Sequence, residues 1–323
     1  MRGKRVLITG MGGELGSLVA SMAERAGWVG DVMGFDVDPP RRLLQRSRFV
    51  RVDPEDSGRI EELVIDFDPH VILHVGVWEP HARLATDEAR RCTEAVAKDV
   101  FDAAHRAPSL ETVVVRSGIE IYGPGSHSPR IAVESTPPDP DTVYGAMCAT
   151  IEAQAAELRT ARGVNVCILR LAPVLGPHVP SPLGRLLRLP VVPVRGVHNP
   201  IFCVVEDHDA ATAFIQAGER GADGTVNIVA NGAISLLRAA ATGNRLPLPQ
   251  FGPAWWMARQ AAAGAGAPIP DHVDSLLRHG RLAASNEAAH LLRFAPRHST
   301  VEVIERLYGW PTIERIPARV PVA

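Results

Sequence analysis

Short aliphatic and β-branched runs alternate along the first half of the chain with longer stretches whose apolar positions recur every three or four residues. The run 6–9 is a strand that stops at glycines. Leu15, Leu18, Val19, Met22, Ala23 and Ala26 then share one helical face, and Gly27 stands where a C-cap is expected. Further strands are predicted over 32–35, 49–52, 71–77, 113–117 and 166–171. Helices are predicted over 60–67, 93–105 and from Asp141 or Thr142 to about Arg162, with Gly163 closing the last. Strands that are apolar throughout are buried on both faces, so the pattern implies an α/β chain with a doubly wound parallel sheet.

After Pro173 the pattern changes. Prolines crowd in at 173, 177, 180, 182, 190, 193 and 200, and again within 246–253. Two pieces resume the strand-and-helix alternation of the first half: 202–205 with a helix over 209–217, and 225–229. The organisation expected is a sheet domain of residues 1–173 plus 200–229, and a smaller C-terminal substrate lobe of 174–199 plus 230–323.

With 323 residues, 46% of them hydrophobic and 22% charged, the chain can bury a sizeable core, which excludes a disordered or fibrous protein. Its net charge of -2 offers no field for nucleic acid or an anionic membrane, so the partner expected is a small molecule. Cys92, Cys148, Cys167 and Cys203 form no C-x-x-C pair, which points away from a disulfide framework or zinc site and toward a reducing cytoplasm. The apolar run at 6–8 is too short for a signal-peptide core, and no segment approaches the ~18 apolar residues of a membrane span. Only Lys4 and Lys98 are lysines, so an amine catalyst has few sources.

The strongest local signal is Gly10-x-Gly12-Gly13-Glu14-Leu15-Gly16, between a strand and an amphipathic helix. Glycines there let the backbone turn tightly and approach a pyrophosphate at the helix N-terminus; the other reading is a glycine-rich turn without ligand. Asp36, closing the second strand, can hold both adenosine ribose hydroxyls and would repel a 2′-phosphate, which Arg41 and Arg42 could rescue by swinging back. Asp53, closing the third strand, meets the adenine edge or caps a helix before Pro54.

At these residues the chain resembles the extended short-chain dehydrogenase/reductase family, the group containing NAD-dependent sugar epimerases and dehydratases. The resemblance spans nearly the whole length. It is carried by Thr9-Gly10-x-x-Gly13-x-x-Gly16, Asp36, Asp53, the strand from Val71 to Gly76, Ser117 to Gly123, Tyr144-Gly145, Leu169 to Pro177 and Gly224 to Ile228. It implies a Rossmann-type sheet, NAD as cofactor and a homodimer. Cofactor contacts would come from Gly10, Gly12, Gly13, Glu14, Leu15, Gly16, Asp36, Asp53, Val75, Gly76, Tyr144 and Pro173. The implied chemistry is hydride transfer with a tyrosine as acid/base and a lysine four residues on, one helical turn later, lowering its pKa.

Tyr144 takes the tyrosine position, but its partner four residues later is Cys148. The Ser/Thr position falls on Gly118, with Ser117 one residue earlier, and the Asn position on Thr93. Lys4 and Lys98 are too far to substitute. Arginine could supply charge, although its guanidinium keeps its proton. Tyr144 then reads either as an acid/base group of unshifted pKa or as an ordinary helix-start aromatic. Glu120 takes the place of the dehydratases' general base, but Ile119 replaces its acidic neighbour, so Glu120 reads better as solvated or structural. His70, His74 and His81 lack metal-ligand spacing and read as core or rim residues.

In the substrate half, Pro173 stands where many nucleotide-sugar members carry Asn, and Arg195 is the nearest arginine to the strand at Phe202. Phe251, Trp255, Trp256 and Met257 are core, or the wall of an apolar pocket. Two readings follow: an NAD-dependent epimerase/dehydratase-like oxidoreductase with a degenerate tetrad and a small-molecule, apolar substrate, or an NAD-binding protein with a sensing or scaffolding role.

Overall fold

The computed structural model describes residues 3–124, 131–196 and 198–309; the last stretch of the expected small lobe, 310–323, lies outside the described residues. In chain order the first elements are β1 (Lys4–Thr9), α1 (Glu14–Ala23), β2 (Val29–Asp36), β3 (Arg48–Arg51), α2 (Ser57–Phe67), β4 (Val71–His74), α3 (Thr86–Ala104), β5 (Thr112–Gly118), α4 (Val143–Arg162) and β6 (Asn165–Leu171). The chain continues through β7 (Val174–Leu175), α5 (Pro182–Arg188), β8 (Val191–Arg195), β9 (Ile201–Phe202), β10 (Val205–Glu206), α6 (Asp207–Arg220) and β11 (Gly224–Ile228). It ends with β12 (Ile234–Ser235), α7 (Leu236–Thr242), β13 (Leu246–Gln250), α8 (Pro253–Gly264), α9 (Asp271–His279) and α10 (Thr300–Gly309).

Seven parallel strands form one sheet in the order β11-β6-β5-β4-β1-β2-β3. The fold is Rossmann-type. The chain runs outward from β1 to β3, then crosses back to place β4 on the other side of β1. That reversal opens a crevice at the carboxyl ends of β1 and β4, where such sheets bind ligands.

Two elements differ from their sequence expectation. Helix α3 begins at Thr86 instead of 93, because its first turn, with Asp87 and Glu88, is polar; those carboxylates suit the positive end of a helix dipole. Strand β4 ends at His74, before Gly76, whose N–H leaves the sheet to donate to Thr9 Oγ1 at 3.1 Å. Helix α4 matches closely: Thr142 Oγ1 accepts from Gly145 N, and Gly163 caps the other end at φ 65°.

Two apolar cores result. The larger lies on both faces of the sheet, around Val6, Leu7, Ile8, Ile72, Leu73 and Val113 to Val115. The smaller gathers Leu183, Leu186, Val192, Phe202, Leu236, Trp255, Leu276 and Ile304 around the parallel pair β8–β13. In β13 the Leu246 N–H donates to Pro190 and the Gln250 carbonyl accepts from Gly196, so Leu246, Leu248 and Gln250 face β8 while Pro247 and Pro249 turn to the outer edge.

Candidate functional site

The crevice is built from backbone. Gly10 has φ +69°, and a Cβ there would lie 2.5 Å from the Gly76 Cα, so the loops after β1 and β4 press together without side chains between them. On Gly12 a Cβ would meet the Asp38 carbonyl at 1.9 Å. Gly13 caps α1 without any side-chain bond, leaving that helix end open to an anion. Asp36 is buried, and burial raises its carboxyl pKa against the opposing pull of backbone N–H groups. Its oxygens accept from Gly12 N at 3.0 Å and Val37 N at 2.7 Å. Together, a side-chain-free loop, an uncapped helix start and a pinned carboxylate fit a dinucleotide's pyrophosphate and ribose.

One cleft is lined by Gly10, Gly13, Glu14, Leu15, Gly16, Asp36, Val75 and Gly76 at one end and by Trp78, Glu79, Arg83, Arg116 and Val179 at the other. A second hollow, bounded by Asp36, Val52, Asp53, Ile60 and Trp78, lies beside it. Asp53 is exposed on its rim and its Oδ1 accepts from Glu55 N in a local turn, while the helix after it is capped by Asp56, whose Oδ1 accepts from Arg59 N. Arg41 and Arg42 lie near carboxylates of their own, Asp38 at 3.8 Å and Glu14 at 3.7 Å. Pro173 is partly exposed; its carbonyl accepts from Val205 N.

The other sequence-predicted residues separate into three groups. Tyr144, Cys148 and Glu120 come together. A Cβ on Gly118 would sit 2.4 Å from Glu120 Oε2, 3.4 Å from Tyr144 Cε1 and 3.5 Å from Cys148 Sγ, so the Glu120 carboxylate fills the room a serine side chain would take. Glu120 is buried rather than solvated, and burial raises its pKa, with Arg281 and His272 opposing. Burial pushes the Cys148 thiol well up, and the neighbouring Glu120 adds to it. Ser117 adjoins Cys148 and links it to a second group: its hydroxyl donates to Glu152 at 2.6 Å, in a buried network with Arg170. Thr93 holds backbone, accepting from Trp78 N at 3.0 Å and so fixing the loop that lines the cleft.

His74 is a core residue, as its lack of metal-ligand spacing suggests: its Nδ1 lies 3.0 Å from Thr9 Oγ1, and burial followed by Arg116 pushes its pKa down to about 3. Lys4 pairs with Glu111 at 2.8 Å and Lys98 with Asp102, both away from Tyr144. The 251–257 segment does not wall the cleft. Trp255 is packed in the smaller apolar core with its Nε1 donating to Asp274 at 3.0 Å, and Phe251, Trp256 and Met257 are exposed at 61 to 65%.

Sequence reasoning missed Arg116, His272 and Glu79. Arg116 on β5 is partly buried, donates to the Val77 carbonyl at 3.1 Å, and lies beside Tyr144. Burial pushes the Tyr144 pKa well above 10, and Arg116 is the cation that opposes it. His272 on α9 stacks on Tyr144 with centroids 5.1 Å apart and bonds Glu79 at 3.2 Å. A charged residue inside the otherwise apolar strand predicted over 113–117 was the signal available for Arg116.

Among the described residues no group of acidic, histidine or cysteine side chains could hold a metal ion, and no helix is long and apolar enough to cross a membrane. The model of a family described as "NAD dependent epimerase/dehydratase family" matches residues 6–189. An uncharacterized protein of Mycobacterium tuberculosis is 26% identical over 312 residues, covering 94% of this chain and 82% of its own length. Among solved structures, the UDP-glucose 4-epimerase of Thermotoga maritima superposes with a TM-score of 0.74 at 17% identity, over 95% of this chain and 98% of its own. The UDP-glucose 4-epimerase of Brucella ovis, solved with NAD, gives 0.73 at 19% identity, over 96% and 99%.

Proposed function

Since the chain belongs to the NAD-dependent epimerase/dehydratase family, its model covering residues 6–189, we propose that it is an NAD-dependent oxidoreductase acting on a small molecule. The observation that carries this reading is the partly buried Arg116, which lines the cleft beside Tyr144, a cation in the company the missing lysine would keep. Gly10, Gly12, Gly13, Glu14, Leu15, Gly16 and the rims at Asp53, Val75, Gly76 and Pro173 would hold NAD, with Asp36 on its ribose. Bound NAD supplies hydride exchange. Arg116 keeps the Tyr144 phenol oriented at the same end, and Thr93 steadies the Val75–Trp78 loop beneath it.

Asp36 makes NAD(H) the expected cofactor. Titration should give NADH at least about tenfold tighter binding than NADPH, since a 2′-phosphate against a buried carboxylate forfeits at least one charge-assisted bond. Trp78, lining both hollows, reports it by fluorescence. Equal affinities would refute the assignment.

The substrate is expected to be less charged than a nucleotide sugar. Arg185, Arg188 and Arg195, the arginines of the proline-rich stretch, bind the His81 carbonyl, the Leu307 carbonyl and Asp274. With those three engaged, a diphosphate would depend on Arg83 and Arg116 of the cleft wall, and each charge left unmet would cost several kcal/mol. Micromolar binding of any UDP-sugar in a calorimetric screen contradicts this.

A second reading, an NAD-binding sensor without turnover, is favoured by the burial of Tyr144, which is 6% exposed. Single-turnover reduction of bound NAD against a metabolite extract separates the two: any reduction that Tyr144→Phe abolishes excludes the sensor.

A further inference from the structure

The acid/base inventory of the cleft does not end at Tyr144. Glu79, in the loop after β4, lines the cleft beside Arg116, and its side chain is 17% exposed. From the small lobe, His272 reaches across the boundary with its Nε2 3.2 Å from Glu79 Oε1. Its Nδ1 is 3.6 Å from Asp271, and its ring is 4% exposed over Tyr144. The phenol, by contrast, does not line the cleft. A carboxylate with one face to the cleft and its other side on a buried imidazole is a proton acceptor placed where a ligand would meet it.

Resting on the oxidoreductase reading above, we propose that Glu79 is the group that takes the substrate's hydroxyl proton, and that His272 is its positioning residue, supplied by the opposite lobe. The substrate class is thus a secondary or primary alcohol, or the matching carbonyl in reverse. In the forward step the O–H bond breaks and its proton passes to a Glu79 oxygen. NAD held by the glycine loop, as in that reading, would supply the acceptor for the C–H hydride, so that the C–O bond becomes C=O and electrons balance. The alcohol carbon is oxidised and the cofactor reduced, and the return step reverses each transfer.

The pair should also register the cofactor's charge. Burial works against a charged His272, but Asp271 and Glu79 outweigh it and push its pKa up to about 9. The groups facing it are Asp271 on its own helix, Glu79 from the β4 loop, Glu120 after β5, Tyr144 on α4 and His81; Arg281 lies opposite Glu120 and Arg116 beside Tyr144. An oxidised nicotinamide brings a positive charge toward Glu79 and so loosens the His272 proton; the reduced ring brings none.

The test titrates the full chain with NAD+ and with NADH by calorimetry at pH 8, in two buffers of different ionisation enthalpy. NAD+ binding should release protons and tighten about threefold to tenfold between pH 7 and 9, while NADH binding does neither. His272→Gln and Glu79→Gln should each abolish the release. If His272→Gln fails to fold, Glu79→Gln decides alone. Release that persists in Glu79→Gln, or that is equal for both cofactors, overturns the proposal. Binding of neither cofactor fails the oxidoreductase reading itself, a result distinct from binding without proton exchange.

Discussion

Arg170→Met should destabilise the protein by about 3–5 kcal/mol, because it leaves a buried carboxylate without its cation. The Arg170 Nε and Nη2 donate to Glu152 at 2.9 and 2.6 Å, and Nη1 donates to the Tyr122 hydroxyl at 2.9 Å. Both charged partners are nearly buried, at 6% and 10% side-chain exposure. Ser117 and Asn227 complete the network, the latter accepting from Tyr122 at 2.7 Å. The double variant Glu152→Gln/Arg170→Met should cost less than the single Arg170→Met, since no charge is then stranded. Urea unfolding of these two variants and of Glu152→Gln checks this; an additive double variant would show that the pair is not energetically coupled.

Arg116→Met should be the most damaging change to chemistry. Without the guanidinium, the Tyr144 pKa, already raised by burial, rises further, and the phenol loses its neighbouring cation. Loss of a preorganised donor of this kind costs about 10² in rate. Single-turnover reduction of bound NAD should fall by about that factor, and Arg116→Lys, which keeps a cation, should recover part of it. Unchanged turnover in Arg116→Met would remove Tyr144 and Arg116 from the reaction.

The sheet was legible because its strands are near-continuously apolar, and the glycine loop because Asp36 follows it at the end of the next strand. The start of α3 was not, since a polar first turn carries no periodicity. The acid/base cluster was legible only in part. Tyr144 sits at a recognisable position, but the room that Gly118 leaves for Glu120 exists only once β5 and the following turn are folded. Glu79 and His272 are 193 residues apart, and no local pattern marks either one. The tryptophans misled for a simple reason: in 251–257 hydrophobicity is not matched by burial, and Trp255 is covered while Phe251, Trp256 and Met257 are not.

The two outward prolines of β13 have a consequence for how this molecule behaves in a crowd. Around that strand lie Leu246, Leu248, Phe251, Trp256 and Met257, between 45% and 65% exposed. A terminal strand with so greasy a border would ordinarily recruit its like from another molecule and seed fibrils. Here the free edge offers no amide hydrogen at Pro247 or Pro249, so an incoming strand finds acceptors but no donors and cannot zip. Stickiness on this side of the lobe is therefore confined to side-chain contact, which is reversible, and does not extend to backbone pairing.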